Sequence, residues 1–229
     1  MLRSANFFRS LLLARILNRR IPLRVGLQLT KYCNMRCNYC YADFETYEAA
    51  EELSTGEVFK IVDDLYAQGC RWIWFLGGEP MMRKDFGAII DYAHSKGIFC
   101  DMNSNGVLIN ESNISTVKKL DGVAISIDGD EETNDYYRGR GMYKKAIDAV
   151  KLLTDHGVSV RIHSILTRKT AAKLDRVVEN CRQLGVTFNY CEVLRKEKDD
   201  DHVLPLQEYE TFYKQYLDYK KKGAPIMHS

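Results

Sequence analysis

The chain has 229 residues, a formal net charge of +2 and 45% hydrophobic residues. That is enough apolar material for one large domain or two small ones, it excludes a disordered chain, and it gives no reason to expect nucleic acid as a partner. The seven cysteines, with Cys33, Cys37 and Cys40 close together, cannot all pair within the chain, which points to a metal site in a reducing compartment such as the cytoplasm.

Residues 1–20 carry Phe7, Phe8, Leu11, Leu12, Leu13, Ile16 and Leu17, interrupted by Arg9 and Arg15 and followed by no small-residue cleavage site. The pattern is that of a basic amphipathic helix and not a signal peptide. Its expected place is against the outside of the folded domain, with peripheral contact to a membrane as the alternative. Residues 23–30 then alternate as a strand, and 54–68 read as a helix with Val58, Ile61, Val62 and Leu65 on one face. Strands follow at 71–76, 98–103, 123–127, 158–166 and 186–194. Helices are expected at 84–96, 114–120, 142–156 and 171–184. A last helix, 206–222, sets Tyr209, Tyr213, Tyr216 and Tyr219 along one face, where packing is the expected use.

Gly69, Gly97, Gly157 and Gly185 each stand between a helix and the next strand, where a left-handed residue ends the helix. Six consecutive β/α units define an α/β fold with a parallel sheet. The simplest architecture is an open partial (β/α)6 TIM-like barrel with an extra N-terminal helix; a doubly wound sheet is the alternative. The expected organisation is an N-terminal helix (1–20), a core domain (21–194) and a C-terminal loop and helix (195–229), with a further C-terminal extension missing.

The cysteine run, Cys33-Asn34-Met35-Arg36-Cys37-Asn38-Tyr39-Cys40, directly follows the first strand. Sites of parallel β/α folds lie at the C-terminal ends of strands. Thiolates favour iron–sulfur clusters or zinc. A structural zinc site calls for four closed ligands, and the nearest other candidates, Cys70 and His94, belong to different units. Three ligands on one loop leave a metal position open for a substrate or cofactor. A one-electron carrier and a zinc-stabilised binding module stand as alternatives.

Cys33-x3-Cys37-x2-Cys40 resembles the signature of the radical S-adenosylmethionine superfamily. Gly77-Gly78-Glu79-Pro80 after the second strand, Ser104-Asn105-Gly106 after the third and Ser126-Ile127-Asp128-Gly129 after the fourth are similar to motifs of that family, over residues 21–194. The resemblance implies a 4Fe–4S cluster on Cys33, Cys37 and Cys40, its fourth iron chelated by S-adenosylmethionine. Reductive cleavage would then give a 5′-deoxyadenosyl radical that takes hydrogen from a substrate.

In this reading Gly77 and Gly78 allow close backbone approach to a ligand. Glu79 receives the methionyl ammonium, Tyr39 contacts the adenine, and Ser126 bonds carboxylate or ribose. Ser104, Asn105, Asp128, Arg138, Arg161 and His163 complete the candidate cofactor-binding set. Asp128 is alternatively a turn-stabilising residue, and His163 a core histidine. The motif style looks like members that modify peptides or help make cofactors. The expected partners are a small-molecule or peptide substrate and an electron donor such as flavodoxin or ferredoxin.

Overall fold

The structure is a computed structural model that describes residues 2–16, 18, 20–42, 52–193 and 202–227. Leu17, Leu194 and the start of the expected C-terminal loop lie outside the described residues. Six strands form one sheet: β1 (Arg24–Gln28), β2 (Trp72–Leu76), β3 (Phe99–Ser104), β4 (Gly122–Ser126), β5 (Val160–Leu166) and β6 (Thr187–Glu192). Their order in the sheet is their order in the chain, and the β1–β2, β2–β3 and β5–β6 pairings are parallel. A doubly wound sheet reverses its order partway. Sequential winding is instead the topology of an open (β/α)6 partial barrel in the α/β class, as the sequence led us to expect.

The chain divides into two compact units. The first comprises residues 1–34, 43–104 and 108–123. It holds α1 (Leu2–Ile16), α2 (Thr55–Ala67), α3 (Phe86–Ser95) and α4 (Ile114–Val117) with β1 to β3. Ser54 starts α2 through a capping box with Glu57, which satisfies two amides that the helix cannot pair itself. Val58 and Val62 of α2 and Ile89, Ile90 and Ala93 of α3 are fully buried, as are Ile73 and Phe75 of β2. Phe75 meets Phe86 edge-on, ring centroids 5.5 Å apart. Arg3 and Phe7 fasten α1: Arg3 Nη1 donates to Asp121 Oδ2 over 2.8 Å, and Phe7 contacts Trp72 and Phe99, the first residues of β2 and β3.

The second unit comprises residues 35–42, 105–107 and 124–229. It contains α5 (Glu131–Arg138), α6 (Met142–Asp155), α7 (Arg168–Ala171), α8 (Leu174–Leu184) and α9 (Leu206–Lys221) with β5 and β6. Ala149, Val150 and Leu153 of α6 and Val177, Val178 and Cys181 of α8 bury one face of each helix. On α9 Phe212 is the buried residue, and Tyr216 packs against Phe188 and Tyr190 of β6, so the tyrosine face does serve packing.

Three features differ from the sequence reading. The helix expected at 171–184 is α8 and starts at Leu174, preceded by the separate short turn α7, around which Thr167 and Thr170 close a reciprocal cap. A 3₁₀ turn, Pro80–Met82, follows Glu79. Helix α5 was not expected at all. All four inter-element glycines do adopt positive φ, from 66° to 100°.

Candidate functional site

In the first unit, the segment after β1 and the Gly77-Gly78-Glu79-Pro80 run form a backbone lock. The Gly78 amide donates to the Thr30 carbonyl and the Glu79 amide to the Tyr32 carbonyl, both over 2.7 Å. Gly77 has φ +148°, and a Cβ there would intrude on the Thr30 carbonyl; one on Gly78 would intrude on that of Tyr32. Both glycines admit the stretch of chain that leads straight into Cys33. Cys33 itself is half-buried and free of any disulfide.

Glu79 is 1% exposed. Its Oε1 accepts from Ser104 Oγ at 2.9 Å and from the Met81 amide at 3.2 Å, so the ends of β2 and β3 meet on one carboxylate. Pro80 occupies the first position of the 3₁₀ turn, where its missing N–H costs nothing. Arg83, which sequence reasoning missed, donates to the carbonyls of Leu29 (3.1 Å) and Leu53 (3.0 Å) and forks onto Asp85. The guanidinium holds the Asp85 carboxyl below the usual range and fixes the end of β1.

In the second unit, Cys37 and Cys40 flank a turn closed by the Cys40 amide on the Cys37 carbonyl at 3.0 Å. Both are half-buried and outside any disulfide. Asn38 hangs this turn on α5: its amide donates to the Tyr137 carbonyl at 3.1 Å and its side chain to the Tyr136 carbonyl at 3.2 Å. Among the described residues, no three His, Cys, Asp or Glu side chains gather round one point as a single-ion site requires. A cubane places no such demand, because each thiolate binds a different iron. The donor set, three cysteines within eight residues and none of them in a disulfide, suits it by its chemistry.

Asp128 is fully buried and is the hub of this unit. Its Oδ2 accepts from the Tyr39 hydroxyl and, over 2.7 Å, from Arg138 Nε; its Oδ1 accepts from the Ile165 amide at 2.9 Å. Asn134 of α5 receives the Asp128 amide at 3.1 Å. Burial pushes the Tyr39 phenol well above its usual pKa, against the opposing pull of Arg138, so it stays neutral and donates. Burial disfavours the Arg138 charge, but the Asp128 carboxylate outweighs it and raises that pKa, with Tyr39 and Cys37 adding. The Arg138 guanidinium also lies over the Tyr39 ring, 5.6 Å from its centroid. Thus Tyr39, Asp128 and Arg138 are brought together, and the Asp128 carboxylate is taken up by protein partners.

His163 is buried and its pKa is lowered, chiefly by burial, although the contact with Asn189 opposes the shift. The Asn189 side-chain amide lies 3.1 Å from His163 Nδ1, so the two polar groups face one another. Arg161 shares the strand with His163 and is half-buried. Asn105 caps its own turn by accepting from the Val107 amide at 2.9 Å. Ser126 ends β4, half-buried.

Residues 27–168, more than half of the chain, match the radical SAM superfamily, and the chain belongs to that superfamily, whose cofactors are a 4Fe–4S cluster and S-adenosylmethionine. It is 33% identical over 154 residues to Fe-coproporphyrin III synthase of Methanosarcina barkeri, covering 66% of this chain and 39% of that protein. It is 29% identical over 205 residues to AdoMet-dependent heme synthase of Nitratidesulfovibrio vulgaris, covering 86% and 56%. The sporulation killing factor maturation protein SkfB of Bacillus subtilis is 32% identical over 170 residues, covering 72% and 41%. The chain therefore spans about half the length of the curated relatives it matches. Among solved structures, Streptococcus suis SuiB bound to S-adenosylmethionine shares the fold with a TM-score of 0.79 at 17% identity, covering 96% of this chain and 53% of that one.

Proposed function

We propose that the chain is the catalytic core of a radical enzyme, with Cys33, Cys37 and Cys40 holding a 4Fe–4S cluster. The cluster would pass one electron, supplied by a donor such as flavodoxin or ferredoxin, to the sulfonium of S-adenosylmethionine and so release methionine and a 5′-deoxyadenosyl radical. The observation that carries this reading is the three-thiol loop directly after β1, within the stretch that matches the superfamily.

The chain's own residues supply the setting. The Gly77–Gly78 lock fixes the entry to the cysteine loop, and Glu79, held by Ser104, offers a buried carboxylate for the methionyl ammonium. Asp128 holds Tyr39 and Arg138 beside the Cys37 turn, placing an aromatic ring for the adenine and a cation next to an anionic cluster. Ser126, Asn105, Arg161 and His163 are the remaining polar groups offered to cofactor or substrate. Neither of the two cavities, one of about 420 Å³ against α9 and one of about 390 Å³ at the C-terminal ends of β5 and β6, is lined by these residues.

A peptide or a small molecule would be the substrate, and the relatives supply both precedents: SuiB is solved bound to its precursor peptide SuiA, while others are named as heme synthases. The test is anaerobic: the reconstituted, dithionite-reduced protein is given S-adenosylmethionine and 5′-deoxyadenosine is followed by mass spectrometry. An electron carrier would leave S-adenosylmethionine intact, and a zinc module would hold no iron and give no brown colour.

A further inference from the structure

Helix α1 is turned the wrong way round for an ordinary surface helix. The side it sets against the first unit carries Arg3, Asn6, Phe7, Ser10 and Ala14, each only partly exposed. The opposite side presents Phe8 (66% exposed), Leu12 (59%) and Ile16 (67%), spaced at i, i+4 and i+8 on one row, with Leu11 and Leu13 beside it. Arg9, Arg15 and Arg20 are exposed around this row. No acidic residue precedes Asp43 in the sequence.

We propose that α1 seats the protein on an anionic lipid membrane. Phe8, Leu12 and Ile16 enter the boundary between headgroups and acyl chains, and Arg9, Arg15 and Arg20 meet lipid phosphates. Charge decides the occupant. A second copy docked through the same face would set arginines against arginines with no carboxylate to relieve them. Size agrees: a 15-residue helix is about 22 Å long and presents roughly 200 Å² on one side, far below the roughly 800 Å² per partner of a stable interface. A bilayer needs no such complementary area. No helix among the described residues is long and apolar enough to cross a membrane, so α1 lies along the surface. This inference stands independently of the radical chemistry.

The experiment is flotation of the 229-residue chain with vesicles of phosphatidylcholine alone or mixed with phosphatidylglycerol. The chain is expected to float with the anionic vesicles, to stay behind with the neutral ones, and to be released by salt. F8E/L12E should lower the partition coefficient by about tenfold or more with an unchanged circular dichroism spectrum, and R9Q/R15Q should weaken binding while keeping the apolar row. The proposal is overturned if the chain fails to float with anionic vesicles, or if both variants bind as the parent does. It is overturned equally if light scattering shows a dimer that F8E/L12E converts to monomer.

Discussion

Arg138 and Asp128 meet through an Nε–H···Oδ2 bond of 2.7 Å, in which the guanidinium side chain is 8% exposed and the carboxylate not at all. Such a pair is worth little compared with an apolar replacement of both partners, but removing one partner strands the other charge. Asp128→Ala should therefore destabilise the protein by about 3–5 kcal/mol in denaturant unfolding, while the double variant D128L/R138M recovers only the share due to the stranded Arg138 charge, because the Tyr39 hydroxyl and the Ile165 amide still lose their acceptor. A D128A variant within about 1 kcal/mol of the parent would show that the pair does not hold the Cys37 turn to the ends of β4 and β5.

The thiol assignments divide cleanly by substitution. Cys33→Ala, Cys37→Ala and Cys40→Ala should each abolish retention of a 4Fe–4S cluster after anaerobic reconstitution, with circular dichroism unchanged. Cys181 is buried on α8, and its thiol pKa is pushed up to about 12 by burial. Cys181→Ala should keep full iron content, at a modest cost in stability. Equal iron in the parent and in Cys37→Ala refutes the ligand set.

Gly78 allows a sharper test than its neighbours. A methyl group there collides with the Tyr32 carbonyl, which is backbone and cannot swing aside. Gly78→Ala should cost roughly 2 kcal/mol or more and loosen the entry to the cysteine loop. Gly56→Ala in α2, where an added Cβ meets open space, should be neutral or stabilising by up to about 1 kcal/mol. Equal melting temperatures for the two variants would contradict the lock.

Asp130 predicts acid behaviour. Burial opposes its ionisation, but the Lys173 ammonium at 2.8 Å and Thr133 outweigh burial and hold its pKa down to about 2. The unfolded value is about 3.9, so this group's contribution is complete above about pH 4 and is lost as pH falls through the folded value. The loss amounts to no more than about 2 kcal/mol. Asp130→Asn should remove that part of the acid slope in urea titrations between about pH 2 and 6; an unchanged slope would assign it to other carboxylates.

Much of this fold was legible in the chain because its determinants are local. Apolar periodicity and Gly69, Gly97, Gly157 and Gly185 marked the β/α units, and the Cys33–Cys40 spacing marked the candidate site. What escaped depends on distant partners. Arg83 acts on the Leu29 carbonyl, 54 residues away, and Tyr39 on Asp128, 89 residues away; neither relation leaves a sequence pattern. Helix α5 did leave a signal. Asp130, whose side chain accepts from the Thr133 amide, stands before Glu131 and Glu132 as a helix-start signature. The run to Arg138 is too short and too polar for apolar periodicity to register it.

The joint between Gly78–Glu79 and Thr30–Tyr32 is built from peptide groups alone. Swapping the side chains of Thr30, Lys31 or Tyr32 leaves both of its bonds standing, and none of its atoms belongs to a thiol. The footing of the cysteine loop is consequently set by the backbone itself, through two peptide hydrogen bonds that no side-chain exchange in that stretch removes.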